Sequence, residues 1–418
     1  MAFLSAFRGV RGRVFLLICL VFFISYIDRV NISIAAPLIQ KEMNLTNTQL
    51  GIALSAFGLC YAFFQIINGY LGDRFGARRV LSILATLWSL GTLLTGLAGG
   101  LVSLVAARVL VGLGEAGSIP TSTRAMSNWV PANRRGFAAG FTHTSARLAA
   151  AMTPALVLFL IPYVGWRGSF IVLGAVSLVW VAVWLSYFRD DPRTHPRIGP
   201  DELSDLPAYA KGLRVVDVPW RRLIPRILPV TLVFFCHAWA LWLYLTWLPS
   251  FFVGSYGIDM KNSALFTSGV FFCGMIGDTV GGVLSDTIYE RTGDLNRARR
   301  NTVVIGFLGS VFFMSFVFFT RNVTAIALCL AAALFFLEMA EGPVWAVPMD
   351  IAPRFAGVAG GFISTAAGLA ALLSPFAFGL ITDLTGSYTL PFVFSLGFLV
   401  LGVVLAFLVR ADRPVEKP

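Results

Sequence analysis

Asp28 and Arg29 stand side by side in the run Ser25-Tyr26-Ile27-Asp28-Arg29-Val30-Asn31, inside an apolar stretch covering residues 14–36. In a bilayer each such charge costs ~2.5–3.5 kcal/mol on insertion scales, so intramembrane charges face a cavity or a partner and mark ion or substrate paths. Arg108 and Glu115 are seven residues apart, close to two helical turns, and share a face. His143 and Arg147 are four apart and also share a face. The first half of the chain therefore sets three cations, Arg29, Arg108 and Arg147, against two acids, Asp28 and Glu115, at membrane depth. Opposite charges 4 Å apart gain about 4 kcal/mol at an effective dielectric of ~20. Pairing offsets much of the insertion cost and leaves one cation over. A spare buried guanidinium suits an anion, because its planar fork fits a carboxylate bidentately. The acids suit proton exchange. A proton on Asp28 or Glu115 would release Arg29 or Arg108 to a substrate carboxylate, and its loss would restore the internal pair. The plain alternative is that Asp28 and Arg29 only pair with each other or with a neighbouring helix.

The second half has its own intramembrane acids, Asp278, Glu338 and Glu341. Glu338 and Glu341, three apart, share a face, and are read as a second proton site or as partners for Arg147 across a cavity. Asp278, two turns before Asp286, is read first as a helix–helix hydrogen bond. His237, Trp239, Trp242, Tyr244 and Trp247 crowd one stretch. Most are read as packing or interface aromatics, and His237 as a hydrogen-bonded core residue that could titrate.

These residues need long apolar elements to carry them. The 418 residues are 57% hydrophobic and only 13% charged, with a mean hydropathy of +0.80. Stretches of ~20 apolar residues cross a bilayer as helices. Twelve are read: 13–36, 48–70, 79–98, 101–126, 135–161, 168–188, 228–253, 262–288, 301–319, 323–348, 356–384 and 389–409. The first is too long and too charged for a cleaved signal peptide. An even number puts both termini on one side. Of the 32 Lys and Arg, only Lys41, Arg167, Lys261 and Arg321 fall in the loops opposite the termini, so the termini are expected to be cytoplasmic. The net charge of +11 thus reflects topology, not a nucleic-acid partner. The five Cys lie inside apolar stretches without metal-like spacing, and the three His (His143, His195, His237) are scattered. No disulfide, metal or other cofactor is expected.

The longest connection, 189–227, is rich in Pro and charge. It divides the chain into an N-terminal bundle, 1–188, and a C-terminal bundle, 228–418. Asp201-Glu202-Leu203-Ser204 could start a short surface helix within it. The bundles echo each other. Gly69-Tyr70-Leu71-Gly72-Asp73-Arg74-Phe75-Gly76-Ala77-Arg78-Arg79 ends span 2, and Gly282-Val283-Leu284-Ser285-Asp286 with Arg291 and Gly293 ends span 8. Pro131-Ala132-Asn133-Arg134-Arg135-Gly136 matches Pro353-Arg354-Phe355-Ala356-Gly357. Two six-helix repeats about an axis normal to the membrane are one plan of secondary transporters.

The run from Gly69 to Arg79, repeated in the second half, resembles the loop 2–3 signature of the major facilitator superfamily. Tyr26 to Asn31, Arg108-Val109-Leu110-Val111-Gly112-Leu113-Gly114-Glu115-Ala116-Gly117, Trp129-Val130-Pro131, Gly165-Trp166-Arg167 and Leu245-Thr246-Trp247-Leu248-Pro249 are similar to its anion:cation symporter family. The resemblance covers nearly the whole chain. It implies an all-α membrane protein of two six-helix bundles. It implies proton coupling at Asp28 and Glu115, substrate binding or gating at Arg29 and Arg108, and cavity lining at Tyr26 and Tyr61. The chain departs from its sugar-acid members in two places. Arg147 stands where an uncharged residue such as Gln is expected, and Gly361-Phe362-Ile363-Ser364-Thr365 lacks an Asn near Ser364. Asn reads sugar hydroxyls and Arg does not, which moves the expectation toward a dicarboxylate or a less hydroxylated or aromatic acid. His143 and Ser364 complete the expected substrate contacts. Asp73, Arg74, Arg78 and Asp286 are assigned to gating, with Asp73 against the positive end of span 11 near Gly357.

The expected function is therefore proton-coupled uptake of a small organic anion by a monomeric carrier of the bacterial inner membrane. Sodium coupling stays open. Two other functions are weighed. A cation exporter would carry an excess of cavity acids, whereas the first half has the reverse. A receptor on the same fold would carry an added signalling segment, and the short termini suggest none. No nucleophile elbow, phosphate loop or ligand set points to an enzyme. Asn44-Leu45-Thr46 and Asn322-Val323-Thr324 match a glycosylation pattern, a weak signal at three residues.

Overall fold

The computed structural model describes residues 9–131, 135–206, 219–352 and 356–413, and all regular structure in them is helical. Ten helical segments are long and apolar enough to cross a membrane. One of them, Gly140–Tyr187, is 48 residues long, or about 72 Å at 1.5 Å per residue, more than twice a ~30 Å hydrocarbon core. It belongs to a helical run, Arg135–Tyr187, that breaks at Gly165 with φ 68° and ψ 176°. The chain reverses there: Ser145 bonds Cys19 while Trp180 donates to the Leu17 carbonyl, so residues 35 apart lie at one depth. Counting both legs, and the shorter apolar helix Leu390–Ala406, twelve spans result, as expected.

In chain order the helices are α1 (Gly9–Met43), α2 (Asn47–Phe75), α3 (Ala77–Gly96), α4 (Leu101–Glu115), α5 (Ser118–Trp129), α6 (Arg135–Tyr187), α7 (Pro200–Ser204), α8 (Trp220–Tyr256), α9 (Met260–Thr292), α10 (Leu295–Ser315), α11 (Val323–Met339), α12 (Glu341–Ile351), α13 (Ala356–Thr385) and α14 (Leu390–Ala406). Side-chain caps fix several starts by satisfying amides that the first turn leaves free. Thr46 and Gln49 form a reciprocal capping box on α2. Asp259, Asp294 and Asn322 cap α9, α10 and α11. The two Asn-x-Thr runs therefore have structural work: Thr46 and Asn322 are helix caps. Gly165 begins a clamp, in which Trp166 Nε1 donates to Glu42 at 2.5 Å and Arg167 reaches Glu42 and the Gly96 and Ala98 carbonyls.

The short helix in the connection exists as α7. Its Glu202 accepts from the Val10 amide at 3.1 Å, and Arg11 pairs with Asp205 at 3.2 Å. Arg226 bonds the Arg413 carbonyl, so connection and both chain ends share one end of the bundle.

Two spans depart from the expectation of single helices. Span 4 is α4 and α5, broken after Glu115, and span 10 is α11 and α12, broken at Ala340 between Glu338 and Glu341. Both breaks thus fall at buried acids, in equivalent places of the two halves. Discontinuous helices free backbone groups and mark binding regions in transporters.

α2 and α13 meet closely between the halves. A Cβ on Gly58 would lie 2.4 Å from the Leu372 amide nitrogen, so only glycine permits this approach. At the end of the bundle away from the termini, Asp383 of α13 accepts from the Asn47 amide (3.0 Å), Asn47 Nδ2 (2.8 Å) and the Thr48 amide (2.6 Å). A carboxylate from one half thereby caps a helix N-terminus of the other, where orphan amides and the helix dipole favour negative charge.

Candidate functional site

Neighbours at 100° per residue on a helix point apart, and Asp28 and Arg29 do. Arg29 Nε donates to Glu115 Oε2 at 2.5 Å, with both groups buried. The side-by-side pair Asp28–Arg29 does not form, and Glu115 serves Arg29 from the end of α4. Arg29 also lies over three rings, Tyr61 (4.7 Å), Tyr26 (4.8 Å) and Phe57 (5.3 Å). Asp28 is 1% exposed. Ser177 Oγ approaches its Oδ2 at 3.5 Å and the Thr92 hydroxyl also lies beside the carboxyl, while among the described residues Oδ1 has no hydrogen bond of normal geometry. Arg108 is 3% exposed, stands 5.3 Å from the Phe57 ring and leaves Nε without a partner among the described residues. It interacts electrostatically with both Asp28 and Glu115. Phe57, 5.3 Å from each guanidinium, was not singled out by sequence, where it is one of 37 Phe.

Arg147 leaves this group and crosses to the other half. Its Nη2 meets Glu338 Oε2 at 2.9 Å and, more closely, Glu341 Oε2. The two acids are thus ion-pair partners of Arg147. His237 Nε2 lies 3.8 Å from Glu341 Oε2. Asp278, His143 and Tyr26 interact electrostatically with both Arg147 and Glu341. Asp278 thus lies within electrostatic reach of this cluster. His237, Glu338 and Glu341 offer ligand atoms within 4.8 Å of one another, an arrangement the scattered His had not suggested. Both carboxylates already face the Arg147 guanidinium, so the trio is a cation seat with an occupant from the chain itself.

The cation excess of the first half does not survive assembly. Among the described residues the centre gathers Arg29, Arg108 and Arg147 with Asp28, Glu115, Asp278, Glu338 and Glu341. Acids outnumber guanidiniums, because α9, α11 and α12 bring three more. Ser364 is half-buried on α13 and makes no hydrogen bond to this group. Trp247 and Tyr244 bond the Pro375 and Leu330 carbonyls, as packing residues would.

Among the described side chains, Arg74, Arg78 and Asp286 are not brought together. The Asp73 side chain and the surroundings of Gly357 lie outside what is described. Among the described residues Arg74 reaches Tyr70 and Phe75. Arg78 binds the Leu185 carbonyl, and its amide donates to Asp190. Burial holds the Asp190 carboxyl above its ordinary range. Asp286 pairs with Arg299 at 3.4 Å, which also holds Asp350 at 3.0 Å. Arg78 and Asp286 each bind inside their own half.

Known proteins bear on this architecture. The probable sulfoacetate transporter of Cupriavidus necator is 45% identical over 404 residues, 96% of this chain and 94% of that protein. The hexuronate transporter of Bacillus subtilis is 28% identical over 403 residues, 94% of this chain and 92% of that one. Among solved structures, a bacterial homologue of the human lysosomal transporter Spinster superposes with a TM-score of 0.79 at 18% identity, over 96% of this chain and 97% of that one. A D-xylose–proton symporter superposes at 0.77 and 18% identity, over 97% and 99%. The family model of the Major Facilitator Superfamily matches residues 18–375. The chain is a multi-pass membrane transporter and not an enzyme, and it belongs to the Major Facilitator Superfamily.

Proposed function

We propose that this carrier takes up a small organic anion together with protons, by rocking of its two six-span halves about the central charges. The observation that carries the reading is Arg108, buried with an open Nε in a centre where acids outnumber guanidiniums. An anion entering that centre adds to an excess of negative charge. Buried uncompensated charge is costly, so anion entry is favoured when acids there take protons. Asp28 is the first such acid, because protonating it breaks no ion pair. Glu115 is the second, because its proton would free Arg29. Arg29 and Arg108 then hold the substrate acid group, with Tyr26 and Tyr61 as walls. The names of the relatives, sulfoacetate and hexuronate transporters, support an acidic substrate. Arg147 and the missing Asn near Ser364 favour a short, poorly hydroxylated acid over a sugar acid.

The acid excess by itself would suit a cation exporter. The open Arg108 and the relatives' substrates weigh against that reading. A monomer in the bacterial inner membrane remains our assignment, with cytoplasmic termini from the distribution of Lys and Arg. Asp73 and Arg74 keep their proposed gating role at the terminal end. Arg78 and Asp286 are better read as braces within each half.

The test is reconstitution in vesicles with a trapped pH dye in sodium-free buffer. Sulfonated acids, dicarboxylates, sugar acids and aromatic acids are added in turn. We expect lumen acidification with one of the first two classes. Entry of a labelled anion without acidification, or only with sodium, refutes proton coupling. Failure of every class to enter refutes anion uptake.

A further inference from the structure

Arg147 is the third guanidinium of the centre, and Tyr26 links it to the first, Arg29. The Tyr26 ring lies 4.8 Å from Arg29 and the same side chain interacts with Arg147. Two carboxylate oxygens, one from α11 and one from α12, converge on the single nitrogen Nη2 of Arg147. Among the described residues neither Oε2 has a well-aligned hydrogen bond; the guanidinium charge and a hydrogen bond between the two carboxyl groups hold them. One guanidinium balances one of these two carboxylates. The polar groups around the pair are unused. His237 is fully buried; the Leu337 carbonyl lies beside it, yet neither ring nitrogen makes a hydrogen bond of normal geometry. Trp345, whose ring lies 6.4 Å from His143, also has a buried indole N–H without a partner among the described residues. The groups facing the pair are Tyr26 from α1, His143 and Arg147 from α6, His237 from α8 and Asp278 from α9.

We propose that Arg147 is a second anion seat, at which Glu338 and Glu341 stand in for a substrate carboxylate or sulfonate. A substrate acid group displaces them from the guanidinium, and the displaced pair takes up a proton. Without Arg147 the two carboxylates are buried together and uncompensated, which is strongly unfavourable. Arrival of the anion and of the proton are thereby the same event. His237 and the Trp345 indole supply further hydrogen-bond donors to the incoming oxygens. With Arg29 against the Tyr26 ring, and Arg108 against the Phe57 ring that Arg29 also faces, the pair of seats suits a short acid with two anionic groups. This rests on the anion-uptake reading above and adds where its second charge and one of its protons go.

The experiment is calorimetric titration of the full-length carrier with sulfoacetate, succinate and galacturonate between pH 5.5 and 8.5. Affinity linked to one proton changes about tenfold per pH unit. In Glu338→Gln/Glu341→Gln the pH slope for sulfoacetate or succinate should fall by about one proton, and binding at pH 8 should tighten at least about tenfold. Removing one member of a buried pair can unfold a protein, so the balanced variant Arg147→Gln/Glu338→Gln/Glu341→Gln provides the second arm. It should bind the dianions at least about tenfold more weakly than the double variant, with galacturonate affinity little changed. A double variant with the wild-type slope, or a triple variant that binds like the double, overturns the second seat while leaving anion uptake standing. Wild-type carrier that binds none of the three acids at any pH overturns both.

Discussion

Asp383 offers the sharpest mechanical test. It accepts three hydrogen bonds, at 3.0, 2.8 and 2.6 Å, from Asn47 and Thr48 across the interface between the halves. The carboxylate is exposed, so each bond is taken at the low end of the range, ~0.5 kcal/mol. Its place at the N-terminus of α2 adds ~0.3–1 kcal/mol. Asp383→Ala should therefore weaken closure at this end by about 2 kcal/mol. With ~1.36 kcal/mol per factor of ten, the ratio of closed to open carrier falls about thirtyfold. Asp383→Asn keeps one acceptor oxygen and should fall between. The assay is a distance distribution between spin labels at Lys41 and Thr385, in protein whose five native Cys are replaced. These sites sit on opposite halves at the same end. A wider second population should appear in Asp383→Ala. Superimposable distributions for wild type and Asp383→Ala would refute the cap as a latch and leave the α2–α13 packing as the closing force.

Gly58→Ala should act in the same direction, since its Cβ would meet the Leu372 amide nitrogen at 2.4 Å; the same spin-label pair reads it. Asp28→Asn should abolish uphill, proton-driven uptake while preserving exchange of labelled for unlabelled anion across equal pH, and uphill uptake in the variant would remove Asp28 from coupling. Glu115→Gln strands the buried Arg29 guanidinium and should cost about 3–5 kcal/mol, read as a fall in melting temperature. Arg29→Gln/Glu115→Gln should recover most of it, and equal melting of the single and double variants would show that the 2.5 Å contact carries no such coupling. Arg108→Gln should raise the half-saturating anion concentration at least about tenfold; because it also removes a charge that faces Asp28 and Glu115, the comparison is made with Asp28→Asn/Arg108→Gln, which should bind the anion as weakly.

Much of this carrier was legible in its residue order. A bilayer leaves few solutions for backbone polar groups, so hydropathy alone marks helical spans. The reversal at Gly165 also carried a signal in Gly165-Trp166-Arg167, because a left-handed φ and a clamp on Glu42 need those residue types. The charges that matter were visible for the same reason: at membrane depth each one needs a compensating partner. The identity of the partners was not visible. Arg29 chose Glu115 over its neighbour Asp28, because helix geometry points adjacent side chains apart. Arg147 chose Glu338 and Glu341, some 190 residues away. That choice reversed the sign of the charge excess read from the first half. The breaks after Glu115 and at Ala340, and the capping of α2 by Asp383, likewise depend on what another helix brings alongside. Sequence determines which groups must be satisfied, because burial in hydrocarbon makes an unsatisfied charge intolerable. Only the tertiary structure decides which group satisfies which, because that depends on the rotation and approach of helices far apart in the chain.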